Sequence, residues 1–155
     1  MAQNWTDRRV VITGLGVVAS LGHSPEALWK NVIAGKCGIN HITAFDASGY
    51  DCRFAAEVKE FNPSPAFPSA KEIRRTDRFA QFSVYAAWQA LRDSGVDLDK
   101  TDRDQVGAII GSGIGGLHTT EEQHKILLSK GPGRLSPFMI PMLILNMGSG
   151  LFSML

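Results

Sequence analysis

Cysteine is scarce in this sequence, which contains only Cys37 and Cys52 among its 155 residues. Two cysteines are too few for the disulfide framework that stabilises many small secreted domains. The residues up to Arg9 are polar and lack the apolar run of a secretory signal peptide. Both observations favour free thiols in a reducing compartment, and we therefore predict a cytoplasmic protein.

An excess of charge of either sign is also absent. Sixteen Lys and Arg residues are balanced by fifteen Asp and Glu residues, so the formal net charge is +1. A near-neutral chain has no electrostatic basis for holding nucleic acid or an anionic membrane as its main partner. Hydrophobic residues make up 44% of the chain and charged residues 20%, which is typical of a globular domain with a sizeable core.

Charge disappears altogether from residues 135–155, and most of that stretch is apolar. A membrane-spanning helix needs about 20 consecutive apolar residues. Pro141, Asn146 and Gly150 interrupt the run here. We therefore predict one buried helix that opens at Ser136 and Pro137 and continues toward Leu155, with its covering layer missing, rather than a membrane anchor.

Two runs of branched apolar residues, 10–13 and 106–110, predict strands buried on both faces of a parallel or mixed sheet. A further strand, short and near an edge, is predicted at residues 54–58. The strands alternate with helical patterns that begin at Pro25, at about residue 74 or 77, and at Thr119 or Thr120. The second of these helices ends at Ser94, with Gly95 as its stop. It carries apolar residues on more than one stripe, which predicts burial on two sides. This order of elements predicts a layered α/β fold.

Residues 14–19 and 111–116 imitate the glycine fingerprint of a dinucleotide-binding loop. Such a loop needs a helix that begins directly at the glycines and an acidic residue about 20 positions later. The helix after Gly14 is predicted to begin too late, and neither pattern is followed by an acidic residue at that distance. We therefore predict no nicotinamide cofactor. The second loop is then either a plain strand-to-helix turn or a loop that presents Ile114 to a pocket.

Longer segments resemble one enzyme family, the β-ketoacyl-acyl-carrier-protein synthases. The resemblance covers essentially the whole chain and includes Gly-Ser-Gly-Ile-Gly-Gly-Leu at residues 111–117 and Ser-Pro-Phe at residues 136–138. The isoleucine of the first motif is similar to that of the type II synthases, which elongate medium and long acyl chains. The matching segments are residues 8–18, 29–30, 34–39, 45–46, 54–55, 93–95, 111–117, 136–138 with Pro141, and 146–147.

The family resemblance implies a thiolase-like fold, in which two related halves each pack a mixed sheet between helix layers and two chains form a homodimer. Residues 1–155 would supply the N-terminal part of the first half, which is therefore incomplete. The implied reaction is a Claisen condensation. An acyl group passes from acyl carrier protein to a cysteine thiolate, and decarboxylation of malonyl-carrier protein generates the carbanion that attacks the thioester.

This chemistry requires a nucleophilic cysteine, an oxyanion hole and two histidines that hydrogen-bond the developing enolate oxygen. In the family these residues follow the Asn-Met helix, so we expect them beyond Leu155 and expect no catalytic residue in this chain. The resemblance assigns Gly113 and Ile114 to the acyl-binding site, with Ile114 at the position that gates the tunnel. Met139 matches a position, commonly Phe, that lines the partner's tunnel across the dimer. A core-filling role remains the alternative for Ile114 and Met139.

The cysteines and histidines that are present do not replace the missing groups. Cys37 stands where the family usually has a small residue such as Ser, and neither Cys37 nor Cys52 follows a strand-to-helix elbow. The four histidines, at positions 23, 41, 118 and 124, show no ligand spacing with the cysteines. We therefore predict no metal site and no cofactor.

Two functions remain open at this point. The chain is either part of a 3-oxoacyl-acyl-carrier-protein synthase of fatty-acid elongation, inactive without the rest, or a non-catalytic dimerising or interaction module derived from a half-synthase. In the first case its partner is acyl carrier protein carrying acyl and malonyl groups. In both cases unpaired strand edges and uncovered apolar helices predict low stability of the isolated chain.

Overall fold

The computed structural model describes residues 9–154 of the chain. The expectations that concern residues 1–8 and Leu155 lie outside this range. The chain forms six helices and one two-stranded ladder within the described residues, joined by short 3₁₀ turns. The helices are α1 (Pro25–Ile33), α2 (Ala70–Ile73), α3 (Arg78–Ser94), α4 (Leu117–Lys130), α5 (Met139–Leu143) and α6 (Met147–Ser153), and the strands are β1 (Asn40–His41) and β2 (Phe54–Ala55).

The sequence signals at the ends of α1 and α3 are confirmed. The side chain of Ser24 accepts a hydrogen bond from the backbone N–H of Ala27 at 3.2 Å, and Pro25 opens α1 as predicted. Helix α3 ends at Ser94 and is followed by the C-cap residue Gly95, whose φ of +67° lies in the left-handed region that glycine adopts without steric cost. Local cap chemistry therefore determines where these two helices begin and end.

Helix α3 packs on two faces, as its broad apolar pattern predicted. One face carries small side chains and lies against the N-terminal segment at Gly14 and Gly16. A Cβ atom on Gly16 would lie 2.9 Å from the backbone nitrogen of Ala90, so only glycine allows this approach. The other face is aromatic, with the Phe82 ring 4.9 Å from the ring of Phe61 in an edge-to-face arrangement.

The N-terminal segment is held on α3 by side chains. The backbone N–H of Leu15 donates to Asp93 at 2.8 Å, and the N–H of Val17 donates to Gln89 at 3.2 Å. Both acceptors lie on α3, so these side chains occupy backbone donors that a neighbouring strand would otherwise bind. The segment is thus anchored to a helix rather than to a sheet.

The prediction that residues 10–13 and 106–110 are buried strands is wrong for the described chain. Val10 is 95% exposed, Ile12 is 84% exposed and Ile109 is 100% exposed. Burial of a strand on both faces needs neighbouring strands and covering helices. Within residues 9–154 no strand pairs with either run, and α6 approaches the second run only at Ile110, which lies beside Gly148. The ladder that does form joins β1 to β2 in antiparallel register, with Asn40 opposite Ala55. The short strand predicted at residues 54–58 is therefore confirmed at its first two residues.

The prediction of one helix after Ser136 and Pro137 is also wrong, because the structure has α5 and α6 with a break between them. The carbonyl of Leu143 would accept the next helical hydrogen bond, but it accepts the backbone N–H of Gly116 at 3.0 Å instead. Helix α6 then packs on α3, with the backbone of Gly148 beside Ser83. No helix within residues 9–154 combines the length and apolar character that a bilayer span requires.

Candidate functional site

The predicted acyl-binding loop lies directly before α4. Gly113 is exposed, and no heavy atom lies within 4 Å of the position that a Cβ would occupy there. The side chain of Ile114 is 66% exposed. Within residues 9–154 this side chain is therefore not covered by a core, and the choice between a tunnel gate and a core-filling role remains a prediction.

The second half of the loop is fixed by close contacts. The hydroxyl of Ser112 accepts a hydrogen bond from the N–H of Gly115 at 3.1 Å, which closes a tight turn around Ile114. Gly115 has a φ of +82°, a conformation that favours glycine. Gly116 donates its N–H to the carbonyl of Leu143 at 3.0 Å. The loop is therefore exposed where it carries Ile114 and is anchored on α5 two residues later.

Met139 is the first residue of α5, the helix whose Leu143 carbonyl accepts the N–H of Gly116. Its backbone N–H donates to the carbonyl of Ser136 at 3.1 Å, and its side chain is half-buried. The N–H of Ser136 in turn donates to the side chain of Gln123 on α4 at 2.7 Å. The Arg75 guanidinium lies over the ring of Phe138 at 4.3 Å, a cation–π contact that fixes the start of α5. The structure thus brings the Ile114 loop against α5, the helix that begins at Met139.

Asp77 is the buried group beside this loop that the sequence did not single out as a site residue. Its side chain caps α3 by accepting the N–H of Phe79 at 3.3 Å, and it is 6% exposed. Its second carboxylate oxygen accepts the N–H of Thr119 at 3.0 Å and the hydroxyl of Thr119 at 2.6 Å. One carboxylate therefore caps the N-termini of both α3 and α4, and a cap of this kind contributes about 1 kcal/mol to helix stability.

This second cap explains why α4 starts at Leu117 rather than at the predicted Thr119 or Thr120. The residue before the helix is Gly116, which has no side chain to cap it. The cap comes from a residue 42 positions earlier, so no local pattern could reveal it. An aspartate just before α3 was a recognisable local signal, but its bond to Thr119 was not.

The carboxylate of Asp77 also bears on the dinucleotide-like pattern of residues 111–116. Helix α4 does begin directly after these glycines, as a phosphate-binding helix would. Its first turn, however, already binds the carboxylate of Asp77 through Thr119. An anion placed there would meet a negative group, which opposes binding. The prediction that this loop holds no nicotinamide cofactor remains a prediction, and this geometry supports it.

A large lowering of a carboxylate pKa lies away from the loop, at Glu57. Hydrogen bonds from the hydroxyl and backbone N–H of Thr43 lower the pKa of Glu57 to about 2, with help from the N–H of Ala44. Lys59 lies 3.4 Å from the same carboxylate. Glu57 thereby fixes the turn that follows β1, which is a structural role.

The two thiols are exposed and far from any elbow between a strand and a helix. Cys37 lies between α1 and β1, and its sulfur is 3.8 Å from the carbonyl of Ile39. Cys52 precedes β2, and its sulfur is 3.6 Å from the carbonyl of Phe54. Within the part of the chain that the structure describes, no group of three or more His, Cys, Asp or Glu residues is placed to hold a metal ion.

The architecture matches that of thiolase-like ketosynthases. The structure of the ishigamide ketosynthase/chain length factor superposes on 95% of this chain and 36% of its own, with a TM-score of 0.78 and 27% identity. A second match has a TM-score of 0.69 and 25% identity, and covers 95% of this chain and 38% of the other. Its structure is described as a type II PKS acyl-carrier protein in complex with its ketosynthase bound to the hexaketide. The predicted thiolase-like layered α/β fold is thereby confirmed.

The sequence model named Beta-ketoacyl synthase, N-terminal domain, matches residues 7–155. The chain therefore belongs to the β-ketoacyl synthase family. It is 47% identical over 148 residues to 3-oxoacyl-[acyl-carrier-protein] synthase 2 of Synechocystis sp., covering 96% of this chain and 35% of that protein. The enzyme of the same name from Coxiella burnetii is 48% identical over 146 residues, covering 94% of this chain and 35% of its own. The chain thus spans about a third of the length of these curated relatives.

Proposed function

We propose that this chain is the N-terminal part of an elongating 3-oxoacyl-acyl-carrier-protein synthase. The observation that carries the proposal is the match along almost the whole chain to two synthases of that name, at 47% and 48% identity. The loop of residues 111–116 supports it, since the loop offers an exposed Ile114 from a backbone anchored on α5.

In the proposed reaction the acyl group leaves the thiol of acyl carrier protein and forms a thioester with an enzyme cysteine. Malonyl-carrier protein then loses its carboxylate as carbon dioxide, and the resulting carbanion attacks the thioester carbonyl. The carbon–sulfur bond to the cysteine breaks, the thiolate is regenerated, and the product is a 3-oxoacyl chain on carrier protein. We propose that the cysteine and the two histidines lie beyond Leu155.

The residues of this chain contribute to acyl binding in this proposal. Ile114 gates the acyl tunnel, Gly113 belongs to the same acyl-binding loop, and Met139 lines the tunnel of the partner subunit in a homodimer. The flexible thioether of Met139 adapts to chains of different length more readily than a rigid ring does. Acyl carrier protein is the proposed macromolecular partner, and the carrier-protein complex of a ketosynthase with 25% identity supports that choice.

A chimaera tests the proposal directly. This chain would replace the aligned 148 residues of the Synechocystis sp. synthase, which amount to 35% of that protein. We expect the purified chimaera to release carbon dioxide from malonyl-carrier protein and to form 3-oxoacyl-carrier protein, with the intact relative as the positive control. The 155-residue chain alone is expected to form neither product.

The same experiment separates the two functions that the sequence left open. A folded, dimeric chimaera that binds carrier protein but forms no 3-oxoacyl product would contradict the synthase proposal. That outcome would favour the non-catalytic dimerising or interaction module. Turnover by the isolated chain would contradict the assignment of the nucleophile to a segment outside it.

A further inference from the structure

A buried side-chain link joins the N-terminus of α3 to the N-terminus of α4. We name the carboxylate of Asp77 and its partner Thr119 the Asp77 clamp. Asp77 is 6% exposed and Thr119 is 4% exposed, so water competes little for their hydrogen bonds. The 2.6 Å distance between the Thr119 hydroxyl and the carboxylate is that of a charge-assisted hydrogen bond.

The clamp touches the acyl-binding loop at its anchored end. A Cβ on Gly116 would lie 3.1 Å from the Asp77 carboxylate and 3.0 Å from the Cα of Leu143. The Asp77 carboxylate and the backbone of α5 therefore both lie close to the position where a Cβ of Gly116 would stand, so the loop is closely packed at this residue. Ile114 lies only two residues earlier, and its exposed side chain takes its position from this backbone.

From this arrangement we propose that Asp77 is a positioning residue that determines acyl chain-length selectivity. It does not touch the acyl chain; it holds Gly116 and the first turn of α4, and these fix the direction in which Ile114 points. Loss of the clamp widens the range of Ile114 positions and weakens discrimination between long and short chains. This inference rests on the proposed function, because it assumes that Ile114 gates an acyl tunnel.

The test uses the active chimaera and the ratio of kcat/KM values for 16-carbon and 8-carbon acyl-carrier proteins. We expect Asp77→Asn to bring that ratio closer to 1, by up to about tenfold, because one amide cannot accept all three hydrogen bonds that the carboxylate accepts. Thr119→Ser keeps the hydroxyl and is expected to leave the ratio unchanged. Thr119→Val removes the hydroxyl but keeps the N–H bond, and its ratio should fall between the two.

Asp93→Asn is the matched control. Asp93 also lies on α3 and also accepts a backbone N–H from another segment, but this N–H is that of Leu15, at 2.8 Å, and not one of the loop or of α4. A purely structural role would lower kcat/KM for both chain lengths equally in Asp77→Asn and Asp93→Asn. A changed ratio in Asp77→Asn alone supports the positioning role.

The outcomes distinguish this inference from the proposed function. An active chimaera whose chain-length ratio is the same in Asp77→Asn, Thr119→Val and the parent overturns the inference and leaves the proposed function in place. A folded chimaera that is inactive toward every acyl chain overturns the proposed function and this inference together. If Asp77→Asn does not fold, the ratio measured for Thr119→Val against Thr119→Ser decides the question.

Discussion

The two glycine patterns of this chain share the same spacing but meet different surroundings. Gly14 and Gly16 lie on the small face of α3, where no larger residue fits. Gly111 and Gly113 have no heavy atom within 4 Å of a Cβ position, so their side-chain space is open. The spacing alone therefore does not determine what the glycines do. The first pattern is a packing contact, and the second is an open turn that exposes Ile114.

The largest change in stability that tests this comparison is expected when a bulky residue replaces one glycine of each pattern. Gly16→Val places side-chain atoms against the backbone of Ala86 and Ala90, so we expect a loss of about 3 kcal/mol in unfolding free energy or failure to fold. Gly113→Val is the matched control and should cost less than about 1 kcal/mol. Thermal unfolding of both variants followed by circular dichroism measures the difference. Equal melting temperatures would refute the contrast between packed and open glycines.

A smaller effect is expected within the second pattern, between its open and its anchored half. Gly115 has a φ of +82°, and a Cβ there would meet the backbone of Leu143. Gly115→Ala should therefore destabilise the chain by about 2 kcal/mol through backbone strain and contact. Gly111→Ala, at an open position, serves as the control and should be nearly neutral. If denaturant unfolding gives the same free energy for both variants, the anchoring of the loop on α5 is wrong.

Much of the local structure followed from the sequence because its causes are local. Ser24 with Pro25 fixed the start of α1, and Gly95 fixed the end of α3. The predicted strands failed because a strand forms only beside a partner strand, and within residues 9–154 no strand pairs with residues 10–13 or 106–110. The family resemblance predicted the fold correctly because it draws on the whole chain rather than on one element.

The candidate site was predictable only in part, for a similar reason. Ile114 and Met139 came from motif resemblance, and the structure places their segments in contact through Gly116 and Leu143. The bond from Asp77 to Thr119 spans 42 residues and has no local signature. The break between α5 and α6 depends on the same kind of distant contact. The N–H of Gly116 binds the carbonyl of Leu143, which a continuous helix would use as its next hydrogen-bond acceptor.

A turn held by a charged group offers a further contrast with the glycine loops, because its stability depends on pH. Hydrogen bonds from Thr43 lower the pKa of Glu57 to about 2, below its ordinary value of 4.5. A depressed pKa means that the stabilisation is fully present above pH 4.5 and is lost as the pH falls through about 2. Glu57→Gln should therefore flatten the decline in unfolding free energy over that window. Glu60→Gln, on the same segment, is the control, and an unchanged decline in Glu57→Gln would refute the assignment.

The smallest effect on stability is expected at the residue that matters most for the proposed activity. Ile114 is 66% exposed, so Ile114→Ala should change the unfolding free energy of the chain by less than about 0.5 kcal/mol. Val84 is fully buried on α3, and Val84→Ala should cost about 2 kcal/mol through the cavity it leaves. In the chimaera we expect the opposite ranking for chain-length selectivity. Ile114→Ala should shift the ratio of long-chain to short-chain kcat/KM, and Val84→Ala should leave it unchanged. A large stability loss in Ile114→Ala would mean that this side chain fills a core, and an unchanged chain-length ratio would remove it from the acyl-binding site.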